Sequence, residues 1–358
     1  MRRAISESVV VVTGASSGIA RATAVAFAER GASVVLAART EESLRAAAQE
    51  CERAGGRALA VPTDVTDEAA VEALARRAGE VFGRIDVWVN AAAVIAYGEF
   101  EKTQTDVYRR VIETNLFGQI YGARAVLPYF RRQGSGVLIN VASILGSVTS
   151  PYVSAYVVSK FGVRAFSESL QEALRLERQT RDIHVCTILP QCVDTPIFQH
   201  AATYTDRRPK AVPPVIGPNR VVRAILRSVE HPRRQRSVGA FARFLELGHT
   251  VVPGFYSRLV PHRDKPGGIQ PPPGQSQPRQ PLRADAGVEQ GGGRLAQYPG
   301  PRHGRGWCRH CRDRNSERPA VGAPLRSTAP SRSPGRPGAA PRRIDLIAIA
   351  CRAWPLGS

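Results

Sequence analysis

Lysine is scarce in this sequence, and long apolar segments are missing from it. Only four of the 50 basic residues are lysines, and the rest are arginines. No apolar run approaches the roughly 20 residues that a membrane-spanning helix needs, which argues against an integral membrane protein. The apolar run nearest the N-terminus, Val9–Val12, is too short for a signal peptide. We therefore expect a cytoplasmic protein whose six cysteines are mostly reduced.

Positive charge, proline and glycine are concentrated in the C-terminal part of the chain. Residues 262–358 contain 16 arginines and one lysine against six acidic residues, so they carry +11 of the formal net charge of +20. Proline and glycine make up 29 of these 97 residues, a level typical of low-complexity, disordered chains. We predict a folded domain over residues 1–260 and a disordered tail over residues 261–358.

The tail admits three interpretations: an unstructured extension, a basic arm that binds nucleic acid, or an out-of-frame reading of a GC-rich gene. Regular Arg-Gly-Gly repeats and interleaved aromatic residues are missing, which argues against nucleic-acid binding. Cys308 and Cys311 have the spacing of a zinc-ligand pair, but no second pair follows, so we predict no metal site. The mildly amphipathic segment Phe241–Val260 could cover a site, pack in a subunit interface or contact a membrane surface; packing is the default expectation.

The first 260 residues alternate strand patterns with helical patterns. Short apolar runs predict strands at Val9–Val12, Val34–Ala38, Ala58–Val61, Val87–Val89, Val137–Val141 and Ile183–Leu189. Helical patterns lie between them, at Ile19–Arg30, Glu41–Ala54, Glu68–Phe82, Val107–Arg132 and Ser154–Arg178. This alternation predicts an α/β fold, a doubly wound parallel sheet with helices on both faces.

A glycine-rich turn, Gly14-x-x-x-Gly18-x-Ala20, follows the first predicted strand. Glycines let the backbone approach a diphosphate, and the N-terminus of the next helix offers free N–H groups and the positive end of a dipole. Such a turn by itself could be an ordinary connection. Its place after the first strand of an alternating pattern favours dinucleotide binding.

Tyr156-x-x-x-Lys160 lies in the last predicted helix. Residues four apart on a helix are neighbours, so an ammonium would lie beside a phenol. A nearby cation lowers the pKa of a phenol and suits it to act as a general acid or base. Ser143, at the end of a predicted strand, could hydrogen-bond a substrate oxygen held near the phenol. An exposed Tyr and Lys at helical spacing is the alternative interpretation.

These motifs together resemble the short-chain dehydrogenase/reductase family over roughly Ser8–Val260. The resemblance rests on Thr13-Gly14-x-x-x-Gly18, Asp64-Val65, Asn90, Asn115, Ser143 and Tyr156-x-x-x-Lys160. It implies a Rossmann-type fold of about seven strands, a nicotinamide cofactor, an alcohol or ketone substrate and a homo-oligomer.

The resemblance also implies a catalytic tetrad. Tyr156 matches the acid/base, and Lys160 matches the residue that binds the nicotinamide ribose and tunes the tyrosine. Ser143 matches the residue that orients the substrate oxygen, and Asn115 the one that holds a water in a proton relay. The predicted cofactor contacts are Gly14, Ser16, Ser17, Gly18, Ile19, Arg39, Asp64, Val65, Asn90, Tyr156, Lys160 and Thr195.

The sequence departs from the family pattern at three places. Ala20 replaces a glycine, Asn90-Ala91-Ala92-Ala93 replaces Asn-Asn-Ala-Gly, and Pro190-Gln191 replaces Pro-Gly. The resemblance places the Gln191 side chain close to the nicotinamide carboxamide, which Thr195 is also expected to contact.

The residues after the second and third strands bear on the choice of cofactor. An NAD site usually has a carboxylate after the second strand, but this chain has Arg39 there, which would attract a 2′-phosphate. We therefore predict NADP(H) over NAD(H); the alternative is that Arg39 stacks on adenine or points to solvent. Asp64 is expected to accept from the adenine amino group, although it could cap the next helix, a role that Thr66 or Asp67 suits better.

The substrate pocket is predicted from the segments near the tetrad. Its candidate lining residues are Ile95, Tyr97, Ile144, Leu145, Tyr152, Gln191, Cys192 and Phe198. This mostly apolar set favours an apolar alcohol or ketone. The sequence thus predicts an NADP(H)-dependent oxidoreductase; the alternative is a cofactor-binding sensor or scaffold with little turnover and a basic arm.

Overall fold

The structure, a computed structural model, describes residues 4–177, 180–204, 208–209, 213–240 and 269–270. The Cys308–Cys311 pair and the segment Phe241–Val260 lie outside the described residues, as does almost all of the predicted tail. The described part of that tail, Ile269–Gln270, forms a short antiparallel pair with Arg208–Pro209. These two residues are therefore paired, where the composition predicts disorder.

Seven parallel strands form the central sheet in the order β7-β6-β5-β4-β1-β2-β3. The strands are β1 (Val9–Thr13), β2 (Ser33–Ala38), β3 (Arg57–Pro62), β4 (Val87–Asn90), β5 (Ser135–Val141), β6 (Asp182–Pro190) and β7 (Gln235–Val238). The chain winds outward from β1 in one direction and then from β4 in the other. The predicted doubly wound, Rossmann-type α/β fold of seven strands is thus confirmed.

Helices cover both faces of the sheet. They are α1 (Gly18–Ala28), α2 (Glu41–Arg53), α3 (Glu68–Phe82), α4 (Thr105–Ile112), α5 (Gly118–Gln133), α6 (Ser154–Leu176) and α7 (Pro218–Glu230). Apolar side chains of α1, α2 and α7 pack with Val10 and Val12 on one face. Those of α3 and α5 pack with Val9 and Val11 on the other face. Because alternate residues of a strand face opposite sides, the four valines of β1 contribute to both cores.

The prediction of one long helix over Val107–Arg132 is wrong. The structure divides it into α4 and α5, joined by a π-helical turn over Glu113–Phe117. A π turn shifts the hydrogen-bond pattern by one residue without ending the helix, so the apolar periodicity does not reveal it. The sequence analysis also did not locate α7 or β7.

Candidate active site

The chemistry-bearing residues predicted from the sequence gather at the carboxyl-terminal edge of the sheet. The order of the strands reverses between β1 and β4. Such a switch point is where doubly wound sheets leave a crevice for a ligand. The turn into α1 forms one wall of this crevice, and the segments after β4, β5 and β6 form the rest.

The turn between β1 and α1 depends on its two glycines. Gly14 has φ +75° and Gly18 has φ +57°, in the left-handed region that favours glycine. A Cβ on Gly14 would lie 2.7 Å from the Cα of Ala92, so the turn lies directly against the chain that leaves β4. A Cβ on Gly18 would lie 3.5 Å from the Cβ of Thr195. The structure thus brings Gly18 and Thr195 together, as predicted for two parts of one cofactor site.

The N-terminus of α1 offers donors for a diphosphate. The first N–H groups of a helix have no partner within it, and Ser17 at the N-cap makes no side-chain hydrogen bond to them. Ser17 is exposed, while Ser16 and Ile19 are half-buried at the same turn. This arrangement fits the phosphates of a dinucleotide because N–H groups and the helix dipole both favour an anion.

Arg39 follows β2 and is exposed. The backbone N–H of Ala15 donates to the carbonyl of Ala37 over 3.1 Å, which ties the glycine turn to the end of β2. Arg39, two residues beyond Ala37, therefore lies beside the turn that would hold the phosphates. This is the place where a guanidinium can reach a ribose or its phosphate.

Asp64, after β3, is held by two neighbours. Its Oδ1 accepts from the Thr66 N–H at 3.0 Å and from the Thr66 hydroxyl at 2.8 Å, and its Oδ2 accepts from Arg110 Nη2 at 2.9 Å. Partial burial raises the pKa of Asp64, but the hydrogen bonds outweigh it and leave the pKa below its ordinary value. The cap of α3 is Asp67, which accepts from two backbone N–H groups, so the capping role does not fall to Asp64.

Val65 is buried at the same strand end, and a Cβ on Gly118 would lie 2.9 Å from its side chain. Its packing against the start of α5 fixes the chain that carries Asp64. The Val65 side chain is accordingly a support for this part of the site, and any contact with adenine falls to its backbone.

Asn90, at the end of β4, is fully buried and bonded to the protein. Its Oδ1 accepts from Trp88 Nε1 at 2.8 Å, and its Nδ2 donates to the Gln119 carbonyl and to Asn140 Oδ1 at 3.0 Å each. Both amide hydrogens are therefore in use. The side chain of Asn90 holds β4, β5 and α5 together.

Asn115 lies in the π turn and is also fully buried. Its amide pairs with the backbone of Val94, accepting from the N–H at 2.8 Å and donating to the carbonyl at 2.9 Å. It also donates to the hydroxyl of Ser159 at 3.0 Å, which in turn donates to the carbonyl of Tyr156. Asn115 thus joins the segment after β4 to the helix that carries the predicted acid/base.

Ser143, Tyr156 and Lys160 come together as the motif predicts. The Tyr156 hydroxyl is hydrogen-bonded with the side chain of Ser143. Lys160 is 1% exposed, and its Nζ lies 5.5 Å from the centroid of the Tyr156 ring and donates to the Val141 carbonyl at 3.0 Å. The Tyr156 phenol, the Ser143 hydroxyl and the Lys160 amine therefore lie close together, which is an arrangement suited to proton transfer.

Burial has the largest effect on the pKa values of Tyr156 and Lys160. Desolvation raises the pKa of Tyr156 to about 12, and the hydrogen bond with Ser143 lowers it only in part. Desolvation also lowers the pKa of Lys160 to about 7. The helical spacing predicted a lowered pKa for the tyrosine beside the lysine, and this prediction is wrong because burial raises the pKa. Helical spacing shows that the two groups are neighbours, but it does not show that both are removed from water.

An apolar cluster of side chains adjoins Tyr156. Tyr97, Leu145 and Tyr156 pack around the buried residues Ile95, Val153 and Val157, together with Ile197 and Ala201. Tyr97 and Leu145 are among the predicted lining residues. Phe198 is not part of this cluster, and its neighbour Ile197 takes the place expected for it.

Gln191 is 7% exposed at the end of β6. Its Nε2 donates to the Pro214 carbonyl at 2.8 Å, and its side chain packs so closely on Gly239 that a Cβ there would overlap Gln191 Oε1. The residue therefore joins the end of β6 to the chain beyond β7. Its Oε1 is buried and has no hydrogen-bond partner among the described residues.

Sequence reasoning missed two polar residues that support the site. Arg110 bonds Asp64 across 46 positions, a separation that leaves no local signal. Ser159 bonds Asn115, and its place immediately before Lys160 was the available sign of its role. Among the described residues, no helix is long and apolar enough to cross a membrane.

Comparisons with known sequences agree with this geometry. A family model described as short chain dehydrogenase matches residues 8–205. An uncharacterized oxidoreductase of Bacillus subtilis (strain 168), YxnA, is 36% identical over 258 residues, which are 72% of this chain and 72% of that protein. Dehydrogenase/reductase SDR family member 7B of Bos taurus is 36% identical over 211 residues, 57% of this chain and 63% of that protein.

Solved structures show the same fold with nicotinamide cofactors. A short-chain dehydrogenase/reductase from Burkholderia phymatum in complex with NAD has a TM-score of 0.61 at 26% identity, covering 68% of this chain and 94% of that one. An alcohol dehydrogenase from the archaeon Thermococcus sibiricus, complexed with 5-hydroxy-NADP, has a TM-score of 0.56 at 25% identity, covering 64% of this chain and 95% of that one. With a family match over more than half of its length, the chain belongs to the short-chain dehydrogenase/reductase family and is an NAD(P)-dependent oxidoreductase.

Proposed function

We propose that this oxidoreductase uses NADP(H) to interconvert a hydroxyl and a carbonyl group on an apolar small molecule, with Tyr156 as the general acid/base. The observation that carries the proposal is the contact of Tyr156 with Ser143 beside the buried Lys160, at the edge of an apolar cluster. A raised phenol pKa keeps Tyr156 protonated at neutral pH, which suits it to donate a proton to a carbonyl oxygen.

Each residue of the group has a separate task in this proposal. In the reductive direction Tyr156 gives its proton to the substrate oxygen, and Ser143 donates a hydrogen bond to the same oxygen. The nicotinamide, when bound, supplies the hydride. Lys160, with a pKa of about 7, exchanges a proton near neutral pH and is placed to stabilise the phenolate that Tyr156 becomes.

We propose that Asn115 contributes to the proton relay through its backbone carbonyl. Its amide hydrogens are used by Val94 and Ser159. The π turn displaces the ordinary helical hydrogen bonds of this segment, and the Asn115 carbonyl is the group that we propose to accept from the relay water. A relay water would therefore meet the backbone of the turn.

The preference for NADP(H) is supported by Arg39. The described residues after β2 include no carboxylate before Glu41, the first residue of α2, and the exposed guanidinium lies beside the glycine turn. A guanidinium pairs strongly with a phosphate, whereas a carboxylate at this place would repel it.

We also propose that the protein forms homo-oligomers. Phe117, Val158 and Phe161 are exposed on the π turn and α6, two elements that pack together. Apolar side chains grouped on one surface are typical of a subunit contact. Light scattering coupled to size-exclusion chromatography tests this proposal; a monomer at micromolar concentration would contradict it.

A turnover assay tests the proposed reaction. Purified protein is mixed with NADPH or NADH and a panel of apolar ketones, and nicotinamide absorbance is followed. We expect ketone-dependent oxidation of NADPH, with a higher kcat/KM for NADPH than for NADH. Tight cofactor binding without turnover across the panel, and across the matching alcohols with NADP⁺, would instead favour the sensor or scaffold function.

A further inference from the structure

The residue Tyr97 lies where three segments of the substrate pocket are joined. The short strand Ala96–Tyr97 pairs in parallel with Ala202–Thr203, which belongs to the segment after β6. The Tyr204 N–H donates to the Tyr97 carbonyl at 2.7 Å, and the Gly98 N–H donates to the Tyr152 carbonyl at 2.9 Å. The backbone of Tyr97 is therefore fixed from two sides, by the segment after β6 and by the chain that leads into α6.

The side chain of Tyr97 faces the acid/base. It packs on the same buried residues as Tyr156, namely Ile95, Val153 and Val157. Its phenol also interacts electrostatically with Tyr156 and with Cys192. Two tyrosine side chains thus share one apolar cluster, and the proposed function uses only one of them.

The Tyr97 hydroxyl is a neutral donor. Burial raises the pKa of Tyr97 above its ordinary value, and the neighbouring Tyr156 and Cys192 raise it further, so the group keeps its proton. No hydrogen bond joins this hydroxyl to any residue that the structure describes. A phenylalanine would pack on the same apolar cluster, so packing alone does not require the oxygen.

The charge of the pocket limits what this hydroxyl can bind. The cationic group nearest to Tyr156 is Lys160, which is buried and donates to the Val141 carbonyl. The cluster in which Tyr97 packs consists of Ile95, Leu145, Val153, Tyr156, Val157, Ile197 and Ala201. A carboxylate or phosphate would lose its water here without gaining a cation, which is costly. An uncharged oxygen is the acceptor that fits.

We propose that the Tyr97 hydroxyl donates a hydrogen bond to a second, uncharged oxygen of the substrate. The substrate class is then an apolar diketone or hydroxyketone, of which Tyr156 protonates one oxygen while Tyr97 holds the other. This inference rests on the proposed function, because it assumes that Tyr156 acts on a carbonyl group.

The test compares the variant Tyr97→Phe with the wild type on 2-heptanone and on 2,3-, 2,4- and 2,5-heptanedione. The variant-to-wild-type ratio of kcat/KM cancels differences in the intrinsic reactivity of the ketones. We expect this ratio to fall about 10-fold or more on at least one diketone and to stay near one on 2-heptanone, since an unpaired polar group costs about 1–3 kcal/mol. The melting temperature should not change, because only an oxygen without a protein partner is removed.

Tyr129→Phe is the matched control. Tyr129 lies on α5, where it packs against Gly79 and Arg132 and not on the cluster around Tyr97, so loss of its hydroxyl should leave all the ratios near one. An equal effect of Tyr97→Phe on 2-heptanone and on every diketone would overturn the inference while leaving the proposed function intact. If the wild type reduces none of these ketones and none of a wider ketone panel, the proposed function is overturned, and the inference with it.

Discussion

At the scale of single residues, burial acts on Lys160 and Tyr156 in opposite directions. It favours the neutral amine and the neutral phenol, since each charged form loses water. The fold therefore holds a lysine whose pKa of about 7 is far below the ordinary value of 10.5. Such a lysine lowers the stability of the folded state at any pH where the unfolded chain would keep it charged.

The variant Lys160→Met removes this cost. Between pH 7 and about 10 the unfolded chain binds a proton at Lys160 that the folded protein has lost, so the stability of the wild type rises with pH. The variant should be more stable than the wild type at pH 7, by on the order of 1–4 kcal/mol, and this advantage should shrink towards pH 10. Urea denaturation at several pH values measures it.

Lys102→Met is the control for this prediction. Lys102 is exposed and pairs with Glu99 at the surface. Its replacement should change the free energy of unfolding little, and by the same amount at every pH in the range. A constant difference between Lys160→Met and the wild type from pH 7 to pH 10 would contradict the assigned pKa direction.

Arg39 is the second residue whose proposed role, binding the 2′-phosphate of NADP(H), can be tested by one substitution. Replacing it with alanine should weaken NADP(H) binding by about 1.5–3 kcal/mol, the usual size of a charged hydrogen bond, and leave NAD(H) binding nearly unchanged. Calorimetric titration of both cofactors measures the effect. Arg223→Ala, on an exposed part of α7, is the control and should change neither affinity. Equal losses for both cofactors after Arg39→Ala would refute the proposed preference.

At the scale of elements, the turn between β1 and α1 is compressed against the chain that leaves β4. Gly14 and Gly83 have nearly the same left-handed backbone, with φ +75° and +76°. A Cβ on Gly83 would meet nothing within 4 Å, whereas one on Gly14 would meet the backbone of Ala92 at 2.7 Å. The pair separates the cost of backbone strain from the cost of a steric clash.

Gly83→Ala should cost about 1–2 kcal/mol of unfolding free energy, the penalty of a Cβ in the left-handed conformation. Gly14→Ala should cost more and should also weaken cofactor binding, because the turn must move away from Ala92. Thermal or urea unfolding of both variants, with cofactor titration, provides the comparison. Equal losses of stability would contradict the close approach of Gly14 to the backbone of Ala92.

At the scale of the whole molecule, the composition predicts that the chain beyond residue 260 is dispensable for folding and turnover. A chain ending at Val260 should keep the melting temperature and kcat of the full protein. A chain ending at Gln275 retains Ile269–Gln270, which pair with Arg208–Pro209, and so measures their contribution. Loss of stability or activity in both shortened chains would show that the tail contributes to the folded protein.

The sequence was sufficient for the first six strands of the sheet and for the proximity of Tyr156 to Lys160 because both have strong local signals. β1 and β2 are runs of apolar, mostly β-branched residues buried on both faces, and Tyr156 and Lys160 have helical spacing. β7 was missed because Gln235–Val238 is a half-buried edge strand with little apolar character. The contact of Arg110 with Asp64 and the inward turn of Asn90 arise from packing between distant segments, which no local pattern encodes.

The most direct measurement of the central claim is the turnover of Tyr156→Phe beside its cofactor affinity. The substitution removes one oxygen and keeps the ring that packs on Val153 and Val157. General acid–base groups contribute about 10²–10⁴-fold to a rate, so kcat should fall by at least the lower figure while the cofactor dissociation constant stays close to that of the wild type. Wild-type turnover in Tyr156→Phe would contradict the assignment of this tyrosine as the acid/base and, with it, the proposed mechanism.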